Sequence, residues 1–216
     1  MLDWGGTDTW TKSHRSLLED ETNLIKEVIS DLDERIHLVG HSYGGTIAYH
    51  LAMTSPELIK NLILIEPMLG WFLDPKKDFM TYNELRSVAE YFWDQYSIGK
   101  IEDGIKHYFD YWNGNGAWVN LEKELSEYVL DGAKKNSHEF EAIFDGGSGL
   151  LTPKNFSRPV LLIGGARSQS PPLRIMKILE GQFPDVRKHL IDGATHMSPI
   201  THSIQVNSLI RNFLST

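Results

Sequence analysis

Apolar positions change their spacing twice in the first third of the chain. Leu17, Leu24 and Val28 recur at helical intervals and predict a helix over residues 17–32. Residues 36–39 and 61–65 are mostly apolar, which predicts two strands that are buried on both faces of a sheet. The stretch between them predicts a helix that ends near Pro56. A strand, a helix and a strand in this order form a βαβ unit, so the sequence predicts a parallel sheet.

The same pattern returns near the C-terminus, with strands predicted over 159–163 and 187–191 and helices over 173–183 and 203–214. Between the two halves, residues 68–153 have helical spacing at 82–97, 101–112, 119–135 and 137–144, and they hold 16 of the 23 aromatic residues. We therefore predict an α/β fold with a mostly parallel sheet. Its parts are a core over 1–67, a helical insertion over 68–153 and a core over 154–216. The first fifteen residues predict a loop.

Composition narrows the classes of partner. The formal net charge of −8 argues against nucleic acid. No apolar run has the length of a membrane span and no signal peptide is visible, so we expect a cytoplasmic protein without membrane association. The absence of cysteine excludes disulfides, a thiolate nucleophile and cysteine-bound metals. No histidine and carboxylate spacing is typical of a metal site, so we expect neither a metal nor another cofactor.

Residues 40–44, Gly-His-Ser-Tyr-Gly, match the G-x-S-x-G nucleophile elbow and lie between a predicted strand and a predicted helix, as that motif requires. The chain must turn sharply at the serine, so we expect strained dihedral angles at Ser42 and an accessible hydroxyl. The backbone N–H of Tyr43, at the start of the helix, is then a donor for an oxyanion. This context disfavours the alternative of an inert serine in a turn.

A serine hydroxyl needs a general base, and nine histidines compete for that role. His196 directly follows the last predicted strand, at the carboxyl edge of the sheet, where parallel α/β folds place their sites. Seven of the other histidines lie in strands, in the elbow or on helices, positions more typical of packing or surface residues. The sequence therefore predicts Ser42 as nucleophile and His196 as its base.

Three segments together resemble the α/β-hydrolase superfamily, in its small bacterial esterase-like branch of serine hydrolases. They are Gly-His-Ser-Tyr-Gly-Gly at 40–45, Leu-Ile-Glu-Pro at 64–67 and Gly-Ala-Thr-His-Met at 193–197. The resemblance covers essentially the whole chain and implies a hydrolase sheet with the insertion as a cap above the nucleophile. It also implies that the first strands, and the loop that supplies a second oxyanion N–H in relatives, are missing here. We therefore expect an N-terminally shortened sheet.

The acid of the triad departs from the family pattern. Many relatives carry aspartate after the strand equivalent to 160–163, where this chain has Ser168. A neutral hydroxyl cannot stabilise an imidazolium as a carboxylate does. Glu66 ends the strand over 61–65, which a right-handed crossover should place beside the elbow strand. We predict Glu66 as the acid of the triad, with Asp192 and Asp145 as competing candidates. The alternative is that Glu66 has no catalytic role and is only a polar residue at the end of its strand.

These residues favour hydrolysis of a carboxylic ester of a small to medium, mostly apolar molecule through an acyl-enzyme. Trp71, Tyr111 and Trp112 are candidates for the wall of the substrate cleft. Carbon–carbon hydrolysis or a lyase reaction by the same three residues is an alternative within the fold. A catalytically impaired or ligand-binding protein of this fold is a second alternative, motivated by the missing oxyanion loop. The oligomeric state stays open and includes a homo-oligomer.

Overall fold

The structure is a computed structural model that describes residues 1–2, 6–11, 16–147, 150 and 152–215, so the loop predicted over residues 1–15 lies partly outside it. Ser16 forms a capping box with Glu19, which starts the first helix at Leu17. The helices are α1 (Leu17–Ser30), α2 (Tyr43–Thr54), α3 (Phe79–Ser97), α4 (Ile101–Asn113), α5 (Lys123–Asp131), α6 (Ala133–Asp145), α7 (Ser170–Glu180), α8 (Ser198–Thr201) and α9 (Ser203–Leu214).

The strands are β1 (Ile36–His41), β2 (Ile59–Ile65), β3 (Val160–Gly165) and β4 (Val186–Ile191). They form a four-stranded sheet in the order β1-β2-β3-β4, and each neighbouring pair is parallel. The elbow strand β1 and the strand that carries Glu66 at its end, β2, are direct neighbours, with His41 opposite Ile65. The predicted α/β fold with a mostly parallel sheet is therefore confirmed.

The helices α3 to α6 lie between β2 and β3 in the chain, within the predicted insertion. The prediction of one helix over 119–135 is wrong, because the chain forms α5 and α6 there and breaks between them at Gly132. The apolar residues keep their helical spacing across the break. Glycine, however, has a low helix propensity, so the helix is interrupted at this position. The short helix α8 was also not expected from the sequence.

The carboxyl ends of the strands meet at one edge of the sheet, and this arrangement positions the site. Apolar side chains on the two faces of the sheet belong to two clusters: one extends into α2 and the insertion, and the other lies under α9. Both strands β2 and β3 are almost wholly buried. The loops that leave the sheet edge therefore start from a rigid base. No helix within the described ranges is long and apolar enough to cross a membrane.

Candidate active site

The turn after β1 has the strained geometry predicted for a nucleophile elbow. Ser42 has φ 54° and ψ −123°, a left-handed φ that residues other than glycine rarely adopt. Its N–H donates to the carbonyl oxygen of Ile65 at 3.0 Å, and its carbonyl oxygen accepts from the N–H of Met68 at 3.2 Å. A Cβ atom on Gly40 would lie 2.3 Å from the carbonyl oxygen of Gly44, so the turn closes only with glycine at that position.

Three side chains form a hydrogen-bonded row at the carboxyl edge of the sheet. The Ser42 Oγ atom lies 2.9 Å from His196 Nε2, and His196 Nδ1 lies 2.7 Å from Glu66 Oε2. His196 and Glu66 are almost completely buried, with 2% and 0% exposure. With the proton on Nδ1, His196 donates to the carboxylate and presents Nε2 as an acceptor for the serine hydroxyl. The structure thus brings together the three residues that the sequence singled out.

The carboxylate of Glu66 is fixed by more than the histidine. Its Oε1 atom accepts from the N–H of Gly165 at 2.6 Å and from the hydroxyl of Ser168. Ser168, the residue at the position of the usual acid, therefore contacts the carboxylate that replaces it. Burial raises the pKa of Glu66, but the hydrogen bond and charge of His196, together with the bonds from Ser168 and Gly165, outweigh burial and lower the pKa. The site consequently holds Glu66 as an anion.

His196 is also held through its backbone and its ring. The Nε2–H of His41 donates to the carbonyl oxygen of His196 at 2.8 Å. Burial, followed by the nearby His196, lowers the pKa of His41 to about 4, so this ring is neutral at physiological pH. The indole of Trp112, on α4, packs against the imidazole of His196, with 4.1 Å between ring centroids. Sequence reasoning missed the role of His41, although its place inside the motif was a signal.

A small cavity opens beside Ser42, with room for about one water molecule behind its open mouth. Most of its wall comes from the insertion, and the lining residues are Ser42, Tyr43, Met68, Leu85, Tyr108, Trp112, Asn136, Glu139, Phe140 and Ile143. Trp112, one of the three predicted cleft residues, is among them. Asn136 and Glu139 were not predicted to line it, because they fall in a polar stretch that is typical of a solvated helix face.

The other two predicted cleft residues are not among those that line this cavity. The ring of Trp71 contacts Tyr49 and Phe72, with centroid distances of 6.2 Å in both pairs. The hydroxyl of Tyr111 donates to Glu84 Oε1 at 2.7 Å, which ties α4 to α3. The ring of Trp71 therefore packs towards α2, and the hydroxyl of Tyr111 is directed to α3.

The competing acids lie apart from the hydrogen-bonded row. Asp192 is exposed in the loop after β4, and Asp145 is exposed at the end of α6. Neither contacts His196 through its side chain in the hydrogen bonds found among the described residues. No group of three or more histidine, aspartate or glutamate side chains in the described part of the chain is arranged to hold a metal ion.

Comparisons with known proteins agree with this fold. A family model described as the alpha/beta hydrolase fold matches residues 32–87. Among curated proteins, the chain is similar to a pimeloyl-[acyl-carrier protein] methyl ester esterase of Aeromonas hydrophila subsp. hydrophila. The two are 24% identical over 208 residues, which cover 88% of this chain and 75% of the esterase.

Two solved structures extend the likeness across the chain. One is MGS-M2, an α/β-hydrolase enzyme from a Medee basin deep-sea metagenome library, with a TM-score of 0.76 and 17% identity, covering 100% of this chain and 78% of that one. The other is a carboxylesterase of Bacillus subtilis, with a TM-score of 0.72 and 17% identity, covering 99% of this chain and 72% of that one. By its sheet and by these likenesses, the chain is a protein of the α/β-hydrolase fold.

Proposed function

We propose that the chain is a serine hydrolase that cleaves carboxylic esters of small to medium, mostly apolar molecules through an acyl-enzyme. The observation that carries the proposal is the hydrogen-bonded row of Ser42, His196 and Glu66 at a strained elbow. A serine, a histidine and a carboxylate in this order are the elements of nucleophilic acyl transfer. The esterases among the similar proteins support ester hydrolysis as the reaction of this row.

In the acylation step, the Ser42 oxygen attacks the ester carbonyl carbon while His196 Nε2 takes the hydroxyl proton. The anionic Glu66 stabilises the imidazolium that forms and keeps its ring in place. The carbonyl oxygen becomes an oxyanion, which the backbone N–H of Tyr43 stabilises; as the first residue of α2, this N–H has no partner within its own helix. The intermediate collapses, and His196 returns the proton to the departing alcohol.

Deacylation repeats these steps with water as the nucleophile. His196 takes a proton from the water molecule, whose oxygen attacks the acyl-enzyme carbonyl carbon. The second oxyanion collapses, Ser42 recovers its proton from His196, and the carboxylic acid leaves. The chain thus returns to its starting state without a cofactor in either half of the reaction.

The test is turnover of short-chain nitrophenyl esters by the purified chain and by Ser42→Ala. We expect hydrolysis by the unmodified protein and loss of at least about 10³-fold in Ser42→Ala, because a triad without its nucleophile retains only a small residual rate. Equal rates for the two proteins would place the nucleophile elsewhere. Tight binding of an ester without turnover would favour a ligand-binding protein instead.

A further inference from the structure

The base of the hydrogen-bonded row has an aromatic neighbour that comes from the insertion. Trp112 lies in the last turn of α4. Its indole and the imidazole of His196 are 4.1 Å apart between ring centroids, with 34° between the ring planes. Both side chains are buried, with 6% exposure for Trp112 and 2% for His196. The indole therefore lies against the imidazole in surroundings that contain little water.

Hydrogen bonds on both sides of Trp112 hold this turn of α4 in place. The side-chain amide of Gln169, which precedes α7, donates to the carbonyl oxygen of Tyr111 and so ties the turn to the core. The backbone N–H of Trp118 donates to Asp110 Oδ1 at 2.8 Å, which fixes the chain that follows the helix. These bonds and the burial of the indole keep the ring against the base.

An indole ring discriminates between the two protonation states of an imidazole beside it. The negative face of the ring attracts a cation within about 6 Å of its centroid, and tryptophan is the strongest of the aromatic side chains in this respect. The attraction is larger where water is excluded. An imidazolium gains the full effect, whereas a neutral imidazole gains little. The contact with Trp112 therefore favours the charged form of His196.

Two titratable side chains contact the same imidazole among the described residues. Glu66 accepts from the Nδ1 edge of the ring and supplies a negative charge. The ring of His41 lies 4.8 Å from that of His196 between centroids. Burial lowers the pKa of His41 to about 4, so it adds no charge at neutral pH. The stabilising groups around an imidazolium are thus Glu66 at its edge and Trp112 at its ring.

We propose that Trp112 stabilises the imidazolium form of His196 and thereby accelerates both acyl-transfer steps. His196 becomes charged as it takes a proton from Ser42 or from water, so the contact is stronger in the transition state than in the ground state. Such a difference raises the rate of the chemical step. Trp112 acts through His196 and is thus a positioning residue, which the insertion supplies to the core. The effect on rate rests on the proposed ester hydrolysis, whereas the effect on the protonation of His196 does not.

The competing explanation is that Trp112 only excludes water and forms part of the cavity wall. The two explanations predict changes of opposite sign. Burial against an apolar group disfavours a charged histidine, so loss of a neighbour that only excludes water would make His196 easier to protonate. Loss of a ring that attracts the cation would make His196 harder to protonate. The direction of the change therefore identifies the role of Trp112.

The experiment compares the unmodified protein with Trp112→Phe and Trp112→Leu, because both replacements are smaller than tryptophan and only phenylalanine keeps an aromatic face. The first readout is the acid limb of kcat/KM for a nitrophenyl ester, where the base is lost by protonation. The second is the pH titration of the His196 ring signals by NMR. We expect both midpoints to fall in the order Trp, Phe, Leu, by about 1–1.5 pH units for leucine, and kcat at the pH plateau to fall by about 10–30-fold.

Trp118→Leu is the matched control. Trp118 belongs to the same insertion and is also 6% exposed, and its ring packs against Phe109 at 5.6 Å between centroids. Its loss should reduce stability as the loss of Trp112 does, but it should leave the acid limb and the His196 titration where they are. Active sites are counted with a fluorophosphonate, so that kcat refers to folded enzyme. The midpoint of a pH profile does not depend on the amount of folded protein.

Failure of this proposal differs from failure of the proposed function. If the chain hydrolyses esters and the three proteins share one acid limb, or if the limb moves to higher pH in Trp112→Leu, the role of Trp112 is overturned and the proposed esterase stands. If no ester is hydrolysed, the proposed function fails. The NMR titration of His196 in the same three proteins then still decides whether Trp112 stabilises the imidazolium.

Discussion

Glu66 occupies an unusual backbone position for a carboxylate at the end of a strand. Its φ is 44°, so two residues of the hydrogen-bonded row, Ser42 and Glu66, have left-handed backbone dihedrals. Such conformations cost about 1–3 kcal/mol each and persist where the surroundings enforce them. For Glu66 the surroundings include the N–H of Gly165 and the hydroxyl of Ser168, which fix one carboxylate oxygen while His196 engages the other.

The role of Glu66 is tested with an isosteric amide. Glu66→Gln should reduce the acylation rate by about 10⁴-fold, because a neutral amide neither stabilises the imidazolium nor holds the required tautomer of His196. Pre-steady-state release of nitrophenol measures acylation directly. Asp192→Asn, which changes an exposed carboxylate in the histidine loop, is the control and should be nearly silent. The reverse pattern would assign the acid to Asp192.

His41 predicts a pH dependence of stability. The folded chain holds its pKa at about 4, whereas an unfolded histidine binds a proton near pH 6.5. Between these values the unfolded state binds more protons, so this contribution to the free energy of unfolding is complete above about pH 6.5 and is lost as the pH falls toward 4. The loss should be about 1–2 kcal/mol between pH 7 and pH 5.

Urea unfolding at these two pH values measures that loss. His41→Gln, which cannot titrate, should flatten this part of the pH dependence. His37→Gln is the control, since its side chain is exposed on the same strand and meets water in the folded and unfolded chain alike. An unchanged pH dependence in His41→Gln would show that other groups cause the loss.

The elbow element depends on close packing between β1 and α2. Gly40 and Gly45 both lie where a Cβ atom would meet a neighbour at 2.9 Å or less. For Gly40 the neighbours are the Gly44 carbonyl oxygen and the Cβ atom of Ala48 in α2; for Gly45 the neighbour is Pro67, directly after Glu66. The glycines therefore let the strand, the helix and the β2 loop approach one another, and that approach sets the distance between the nucleophile and its acid.

This packing gives a prediction with a control inside the same motif. Gly40→Ala should lower the free energy of unfolding by about 1–3 kcal/mol, because its methyl group cannot fit against the helix backbone. Apart from its chain neighbours and the backbone of its own helix, Gly44 has no atom within 4 Å of the place that a Cβ atom would take, so Gly44→Ala should be neutral or stabilising by up to about 1 kcal/mol through its helix propensity. Chemical denaturation compares the two. Equal destabilisation by both changes would contradict this role of the packing.

At the scale of the whole molecule, the sequence predicts the features that follow from the order of strands and helices along the chain. Ser42, Glu66 and His196 each follow a strand of the sheet, and parallel strands end at a common edge, so their meeting could be predicted from topology alone. The break at Gly132 could not, because helical spacing of apolar residues runs across it. Single glycines within a helical pattern are tolerated or disruptive depending on tertiary contacts.

The cavity wall was harder to predict because it depends on how each helix of the insertion is rotated against its neighbours. Tyr111 and Trp112 are adjacent in sequence, yet successive residues point about 100° apart on a helix, and only Trp112 packs against His196. Asn136 and Glu139 follow two lysines in a segment that has the composition of a solvated surface. Their burial results from the packing of α6 against α1 and α2, which one-dimensional periodicity does not encode.

The central claim, that Ser42 is a nucleophile activated by His196 and Glu66, is tested most directly by covalent capture. The chain is treated with a fluorophosphonate and digested, and the modified peptide is identified by mass spectrometry. We expect one adduct, on Ser42, which forms far more slowly in Glu66→Gln and is absent in Ser42→Ala. An unlabelled Ser42 in the folded protein, or the same rate of labelling in Ser42→Ala, would contradict the claim.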